Sequence, residues 1–268
     1  MGDMYVGEQG WGGKAGGGYF GGYEGGRRQR VGVSGLERVY GEGRYALKRK
    51  DMVGMPWRLV MALQGEGWWL RSDVIWHKPN ACPEPARDRP GMSYEHIFLL
   101  SKSERYFYDP YGCGGRKLVR DVWSINLQPY GGGHFATFPE ELAARCILMG
   151  TPEGGCCSEC GSPRRRMVDV QKRKSWTPHE EDEVVGKRVA RPYKKPVGLP
   201  VTLGWKEGCT CGKGVVESVV LDPFMGSGTV GLVAERYGRR WIGIDINPEY
   251  CDMAAKRIAA ESMQGELF

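Results

Sequence analysis

Two groups of residues have types and spacings that could do chemistry. The first is the run Asp222-Pro223-Phe224-Met225-Gly226-Ser227-Gly228-Thr229, which follows Val219-Val220-Leu221 and precedes an apolar helical stretch. Gly226 and Gly228 let the backbone come close to a ligand at a helix N-terminus, where unbonded N–H groups favour an anion. Asp245 lies about 20 residues further on, the separation at which a strand-end acid meets ribose hydroxyls. A dinucleotide site would show G-x-G-x-x-G; here the turn is different and an acid stands before it. That acid suits a ligand with a cationic amino group as well as a carboxylate. S-adenosylmethionine has both, plus a sulfonium. An ordinary tight strand–helix turn is the competing reading. The second group is Cys157-x-x-Cys160 with Cys209-x-Cys211. Two short-spaced pairs separated by a long loop are what a tetrahedral Zn²⁺ clip needs. Cys156 could stand in for Cys157, and free surface thiols are the alternative. Cys82, Cys113, Cys146 and Cys251 have no metal spacing.

These groups need elements to hold them. Val219-Val220-Leu221 reads as a buried strand, residues 230–237 as a helix closed by Gly238, and residues 241–244 as a second strand ending at Asp245. Asn247-Pro248 is an N-cap followed by a first-turn proline, opening a helix to about residue 260. Strand, glycine turn, helix, strand, acid is a βαβ unit of a doubly wound sheet. Upstream, Met52, Met55, Leu59, Met61 and Leu63 recur at helical spacing until Gly65 and Gly67 stop the run. Residues 68–77 and 94–101 read as two strands paired as a hairpin, with a Pro-rich loop between them. Residues 104–133 read as loop. Thr137-Phe138-Pro139-Glu140 reads as a capping box opening a helix that ends at Gly150.

The chain has 268 residues, a net charge of +6 and 42 glycines. Many glycines fall in residues 1–47, which read as a flexible segment whose Tyr and Arg side chains either contact nucleic acid or lie in solvent. There is no collagen period, no apolar run of about 18 residues and no signal peptide. Nine cysteines without a secretion signal favour reduced thiols or a metal over a disulfide framework. Composition therefore indicates a cytoplasmic protein, with no membrane contact and a mildly basic surface compatible with a polyanion. The expected divisions are 1–47, a half-domain with hairpin and helix at 48–150, a charged cysteine-containing insertion at 151–214 that needs a staple, and the βαβ unit at 215–268.

The segment VLDPFMGSGTVGLVAERYGRRWIGIDINPEY resembles the cofactor-binding motifs of DNA amino-methyltransferases, which methylate N6 of adenine or N4 of cytosine. KDMVGMPWRLVMALQGEGWWLRSDVIWHKPNACPEPARDRPGMSYEHIFLLSKSERYFYD is similar to their middle segment. HFATFPEEL is similar to the helix before the cofactor motif in members with the cofactor half last. The resemblance spans residues 48–258, less so at 110–133 and across the insertion. It implies an α/β, Rossmann-like S-adenosylmethionine-dependent methyltransferase fold, into which the zinc clip read from the cysteine spacing is inserted, with double-stranded DNA as partner and a prokaryotic or phage source. It places Asp222 near the methionine amino group, and Phe224, Gly226, Gly228 and Thr229 along the cofactor. It gives Asp245 to the ribose with Asn247 nearby, and His134, Thr137, Phe138 and Pro139 to the methionine end. Trp76, Lys78 and Asn80 match a strand-end motif facing the target base, and Lys78 and Asn80 are the catalytic candidates it leaves.

One departure matters. The family's catalytic signature is Asp or Ser, then Pro-Pro, then an aromatic; it accepts the amine's hydrogens and stacks on the flipped-out base. This sequence has no Pro-Pro dipeptide. Asp109-Pro110-Tyr111, Asn247-Pro248-Glu249-Tyr250 and Asp222-Pro223-Phe224 are lookalikes in the wrong places. Gly2-Asp3-Met4-Tyr5 is similar to the end of the strand that follows the catalytic one, so the fold is expected to be incomplete. A longer reading frame or a second polypeptide would then supply the motif. The alternatives are a non-catalytic cofactor- and DNA-binding remnant, half of a split enzyme, or methylation of RNA or protein.

Overall fold

The computed structural model describes residues 50–114, 119–128, 138–169 and 201–265. They fall into two compact units interleaved along the chain: residues 50–77, 83–104 and 121–124 belong to one, and the remaining described residues, 78–82, 105–114, 119–120, 125–128, 138–169 and 201–265, to the other. Residues 2–5, with the strand end expected there, lie outside the described residues.

In the first unit, helix α1 (Met55–Gly65) starts after Gly54, whose φ of 68° turns the chain into the helix, with Pro56 in the first turn. Proline costs nothing there because its missing N–H has no helical partner anyway. Val53, Pro56 and Val60 are the buried residues. Met52, Leu59 and Met61, which suggested the helix by their spacing, are exposed. Strands β1 (Trp69–His77) and β2 (Tyr94–Ser101) pair antiparallel from Trp69↔Ser101 to His77↔Tyr94, with a bulge between Leu70 and Ser72. Trp57 sets its ring edge-on against His96 and Phe98, at centroid distances of 5.2 and 5.0 Å. The other edge of β1 carries β3 (Val122–Ser124), parallel, which puts the buried Trp76 opposite the buried Trp123. Residues 122–124 had read as loop.

The second unit contains α2 (Glu140–Gly150), the short strands β4 (Cys156–Cys157), β5 (Arg165–Asp169), β6 (Val201–Lys206) and β7 (Val215–Val216), then β8 (Val219–Asp222), α3 (Thr229–Arg236), β9 (Arg240–Gly243) and α4 (Pro248–Gly265). β8 and β9 pair parallel in the register Val219↔Arg240 to Asp222↔Gly243, the βαβ unit read from the sequence. Its core is Ala143 and Ile147 of α2 against Val233 and Ala234 of α3, with Val220 and Trp241 packed on them. Ion pairs fasten the helices: Glu140 meets Arg236 at 2.9 Å and Arg257 at 3.1 Å, joining the start of α2 to α3 and α4. One expectation for α2 needs correction. Pro139 occupies the N-cap with no side-chain hydrogen bond, and the Glu140 carboxylate goes to the two arginines instead of closing a capping box; Thr137 lies outside the described residues. Gly150 is the last helical residue, and Thr151 ends the helix by donating its hydroxyl to the Ile147 carbonyl at 2.6 Å.

The β5–β6 hairpin is anchored by Arg166. Its Nε donates to the Asp109 carboxylate at 2.7 Å, its Nη2 to Glu153 at 2.7 Å, and its guanidinium lies 4.5 Å over the Trp205 ring. Asp109 is buried, and its other oxygen accepts the Tyr111 N–H at 3.0 Å. The Asp109-Pro110-Tyr111 lookalike is thus a structural turn. Removing one member of a buried pair leaves the other charge unpaired, which typically costs about 3 kcal/mol or more. Asp109→Ala is expected to lower unfolding stability by about that amount in thermal or denaturant melts, and a variant as stable as the parent would remove this anchor from the account.

Candidate functional site

The chemistry-bearing residues of the second unit converge at the C-terminal ends of β8 and β9. After Asp222 the chain turns back on itself. The Ile244 N–H donates to the Asp222 carbonyl at 2.9 Å and the Met225 N–H to the Ile244 carbonyl at 2.8 Å, so the two strand-end turns are zipped together. Asp222 accepts the Phe224 N–H at 3.1 Å through its side chain, which sets the first bend. Gly226 and Gly228 have φ of 49° and 77°, in the left-handed region that glycine enters without steric cost. Gly228 also sits close to α4: a Cβ there would stand 2.7 Å from that of Ala254.

Asp245 spans both turns. One carboxylate oxygen accepts the Gly226 N–H at 2.8 Å and the other accepts the Asn247 N–H at 2.9 Å. Asn247 caps α4 by accepting the Glu249 N–H at 2.9 Å. Arg257 reaches back from α4 to the Ser227 carbonyl at 3.1 Å and the Thr229 hydroxyl at 3.2 Å, fixing the start of α3. A carboxylate has about four acceptor positions, so Asp245 keeps capacity beyond its two backbone donors. The first of the two strand-end turns carries Phe224 and the second Ile246, apolar side chains in solvent at 88% and 101% relative exposure. An oriented acceptor in turns that also carry exposed apolar side chains suits a ligand that presents hydroxyls beside a flat ring.

The structure therefore brings together Asp222, Phe224, Gly226, Gly228, Thr229, Asp245 and Asn247. Ile246 was missed by the sequence reading; its signal was an apolar residue between an acid and a helix cap, and it is exposed among the described residues. Pro139 is buried and Phe138 is partly exposed just before α2, while His134 and Thr137 lie outside the described residues. Asn80 spends its amide on the loop: Nδ2 donates to the Leu127 carbonyl at 3.0 Å and Oδ1 accepts the Leu127 N–H at 2.7 Å. Lys78 follows β1 directly, and its carbonyl accepts the Ala81 N–H at 3.1 Å.

The cysteines form a second cluster. The Sγ atoms of Cys157, Cys160, Cys209 and Cys211 all lie within 4.8 Å of one another. Cys156 is outside that cluster, with its Sγ 3.8 Å from the Ser218 hydroxyl. Backbone N–H groups of Cys160 and Glu159 bring the Cys157 thiol down to about 7, while the Cys160 and Cys209 side chains push Cys211 up to about 12.

A protein-family model described as DNA methylase matches residues 35–158 and 170–256. The chain belongs to this DNA methylase family. It is 37% identical over 221 residues to the type II methyltransferase M.Cfr9I of Citrobacter freundii, covering 80% of this chain and 53% of the relative. It is 36% identical over 222 residues to M.XycI of Xanthomonas campestris pv. cyanopsidis, with coverages of 81% and 53%. It is 47% identical over 278 residues to M.SfiI of Streptomyces fimbriatus, with coverages of 76% and 66%. The chain thus spans about half the length of the first two relatives. Among solved structures, the cytosine-N4-specific PvuII DNA methyltransferase is similar with a TM-score of 0.49 and 19% identity, covering 82% of this chain and 65% of that one. Among the described residues, no helix is long and apolar enough to cross a membrane.

Within this family member the turn geometry has a direct consequence. Gly228→Ala would combine a strained left-handed φ with a clash against α4, and is expected to destabilise the βαβ unit by roughly 1–3 kcal/mol. Hydrogen exchange at α3 and α4 reads this, and unchanged protection would contradict it.

Proposed function

We propose that this chain provides the cofactor-binding half of an S-adenosylmethionine-dependent DNA methyltransferase that modifies an exocyclic amine, N4 of cytosine or N6 of adenine. The observation that carries the reading is the Asp245 carboxylate, held by the Gly226 and Asn247 N–H groups in turns that also carry the exposed Phe224 and Ile246. These residues fit the cofactor's adenosine: Asp245 accepts the ribose hydroxyls, and Phe224 and Ile246 hold the faces of the adenine. Asp222, at the end of β8, faces the methionine amino group, with Gly226, Gly228 and Thr229 lining the path to it and Phe138 and Pro139 at the methionine end. When bound, the cofactor supplies a methyl group on a sulfonium, activated for transfer. Family membership and the net charge of +6 support double-stranded DNA as the substrate. The naming of its relatives as type II methyltransferases supports a place in restriction–modification.

The chain's own part is binding and orientation. The Pro-Pro catalytic signature is absent from the sequence, and among the described residues β8 pairs only with β9. Val219, Leu221 and Ile242 on these strands, and Ile244 just after β9, are exposed at 49–57%. Parallel strands are ordinarily covered on both faces, and an open strand edge beside apolar surface is prone to association. We therefore infer that a further segment, from a longer reading frame or a second polypeptide, pairs along this sheet and brings the catalytic motif.

Two outcomes are expected. Calorimetry should show S-adenosylmethionine binding to residues 1–268, weakened by Asp245→Ala by roughly 1–3 kcal/mol because buried hydroxyls lose their acceptor. Unchanged affinity in a folded variant would sink the assignment. Labelled methyl transfer to duplex DNA by residues 1–268 alone should be negligible. Robust transfer would show that the catalytic groups lie within this chain.

A further inference from the structure

We propose that Cys157, Cys160, Cys209 and Cys211 bind one structural zinc ion that closes the insertion at its base. The four Sγ atoms already lie within 4.8 Å of one another. Sulfurs about 2.3 Å from a tetrahedral Zn²⁺ are about 3.8 Å apart, so the cluster closes on the ion with small side-chain rotations. Four thiolates with no other donor type form a soft, closed set, which selects zinc over magnesium or calcium and leaves no position for water.

The backbone is shaped for this. Each cysteine pair lies in a tight turn, and each pair is followed by a glycine with left-handed φ, Gly161 at 69° and Gly212 at 62°. The Gly161 N–H donates to the Cys157 carbonyl at 2.9 Å, and the Cys157 N–H to the Ser162 carbonyl at 2.9 Å, so the first turn is a closed knuckle. The Ser158 N–H donates to the Gly214 carbonyl at 2.9 Å and ties it to the second.

A second observation is independent of the sulfurs. Arg164 and Lys213 line the same small cavity as Cys157 and Cys209. The Arg164 Nε–H is the buried side-chain polar atom that has no partner among the described residues. A tetrathiolate zinc carries a net charge of −2, and its sulfurs accept hydrogen bonds. The cationic side chains of Arg164 and Lys213, which line the same cavity, offset that charge, as a buried anionic centre needs.

The base of the module, away from the Arg166 anchor, is a short ribbon. β4 and β7 pair over two residues each, Cys156↔Val216 and Cys157↔Val215, and Val215 and Val216 are exposed. So short a ribbon is not stable by itself. The metal would cross-link the point where the insertion leaves the core after α2 to the point where it returns before β8, and would hold the base of the β5–β6 hairpin that carries Arg166.

Elemental analysis of residues 1–268 purified without chelator should find one zinc per chain. Cys157→Ser and Cys209→Ser should lose it, and Cys82→Ser should keep it. Two measurements that do not depend on the folding of the serine variants use the unaltered protein or a conservative change. Cobalt exchange should give the charge-transfer absorption of a tetrathiolate site, shifted but retained in Cys211→His. Chelator titration followed by hydrogen exchange should loosen residues 156–168 and 201–216 before residues 219–260. A folded chain without metal, bridges between these cysteines, or stoichiometric iron in place of zinc would overturn the proposal.

Discussion

The Asp245 carboxylate is the interaction on which the C-terminal unit turns. Two strand-end loops meet there, and each offers a backbone N–H that would otherwise face solvent or a void. By accepting from Gly226 and Asn247 together, one side chain fixes the glycine turn after β8 and the helix cap after β9. That demand explains the neighbouring residue types. Gly226 must bring its N–H forward, Asn247 must cap α4 through its side chain, and Arg257 must return from α4 to hold Ser227 and Thr229. Charge-assisted hydrogen bonds to a carboxylate are stronger than neutral ones. The site is therefore set before any ligand arrives, and binding need not bear the full entropy of ordering two loops.

The same unit is firm on one face and open on the other. Val220 and Trp241 pack against α2 and α3, while the alternate residues Val219, Leu221, Ile242 and Ile244 are exposed. Strands patterned apolar on both faces belong in a sheet with two layers of cover. The described residues provide one, through α2 and α3, with the Glu140–Arg236 and Glu140–Arg257 pairs locking the helices in place. Among the described residues, the two strand-end turns are held in place while one face of the β8–β9 pair is left uncovered, in a chain spanning about half the length of relatives such as M.Cfr9I and M.XycI.

Much of this was legible in the sequence wherever periodicity ran long enough. The two hairpin strands emerge from the aromatic and β-branched residues of 68–77 and 94–101, the first stopped by Lys78-Pro79-Asn80, and the βαβ unit emerges because glycine, proline and asparagine mark its boundaries. Short pairings were not legible. β3 is three residues, too few to distinguish a strand from a loop, and only the burial of Trp123 beside Trp76 reveals its role. The β5–β6 hairpin is interrupted at Gly204, and the Arg166–Asp109 pair that anchors it joins residues 57 apart with no local signature. The capping box at Thr137 was a sound local inference that lost to tertiary contacts, because two arginines from later helices claim the Glu140 carboxylate. Ile246 was overlooked because an isolated apolar residue in a polar turn carries no pattern.

Hydrogen–deuterium exchange with and without S-adenosylhomocysteine, the demethylated cofactor, tests the central claim most directly. The backbone amides of Gly226 and Asn247 already donate to Asp245, so a ligand gripping that carboxylate must slow their exchange. The account predicts protection concentrated in residues 222–229 and 244–249, with the β5–β6 hairpin unchanged. Protection confined to other segments, or none at saturating ligand, would contradict it.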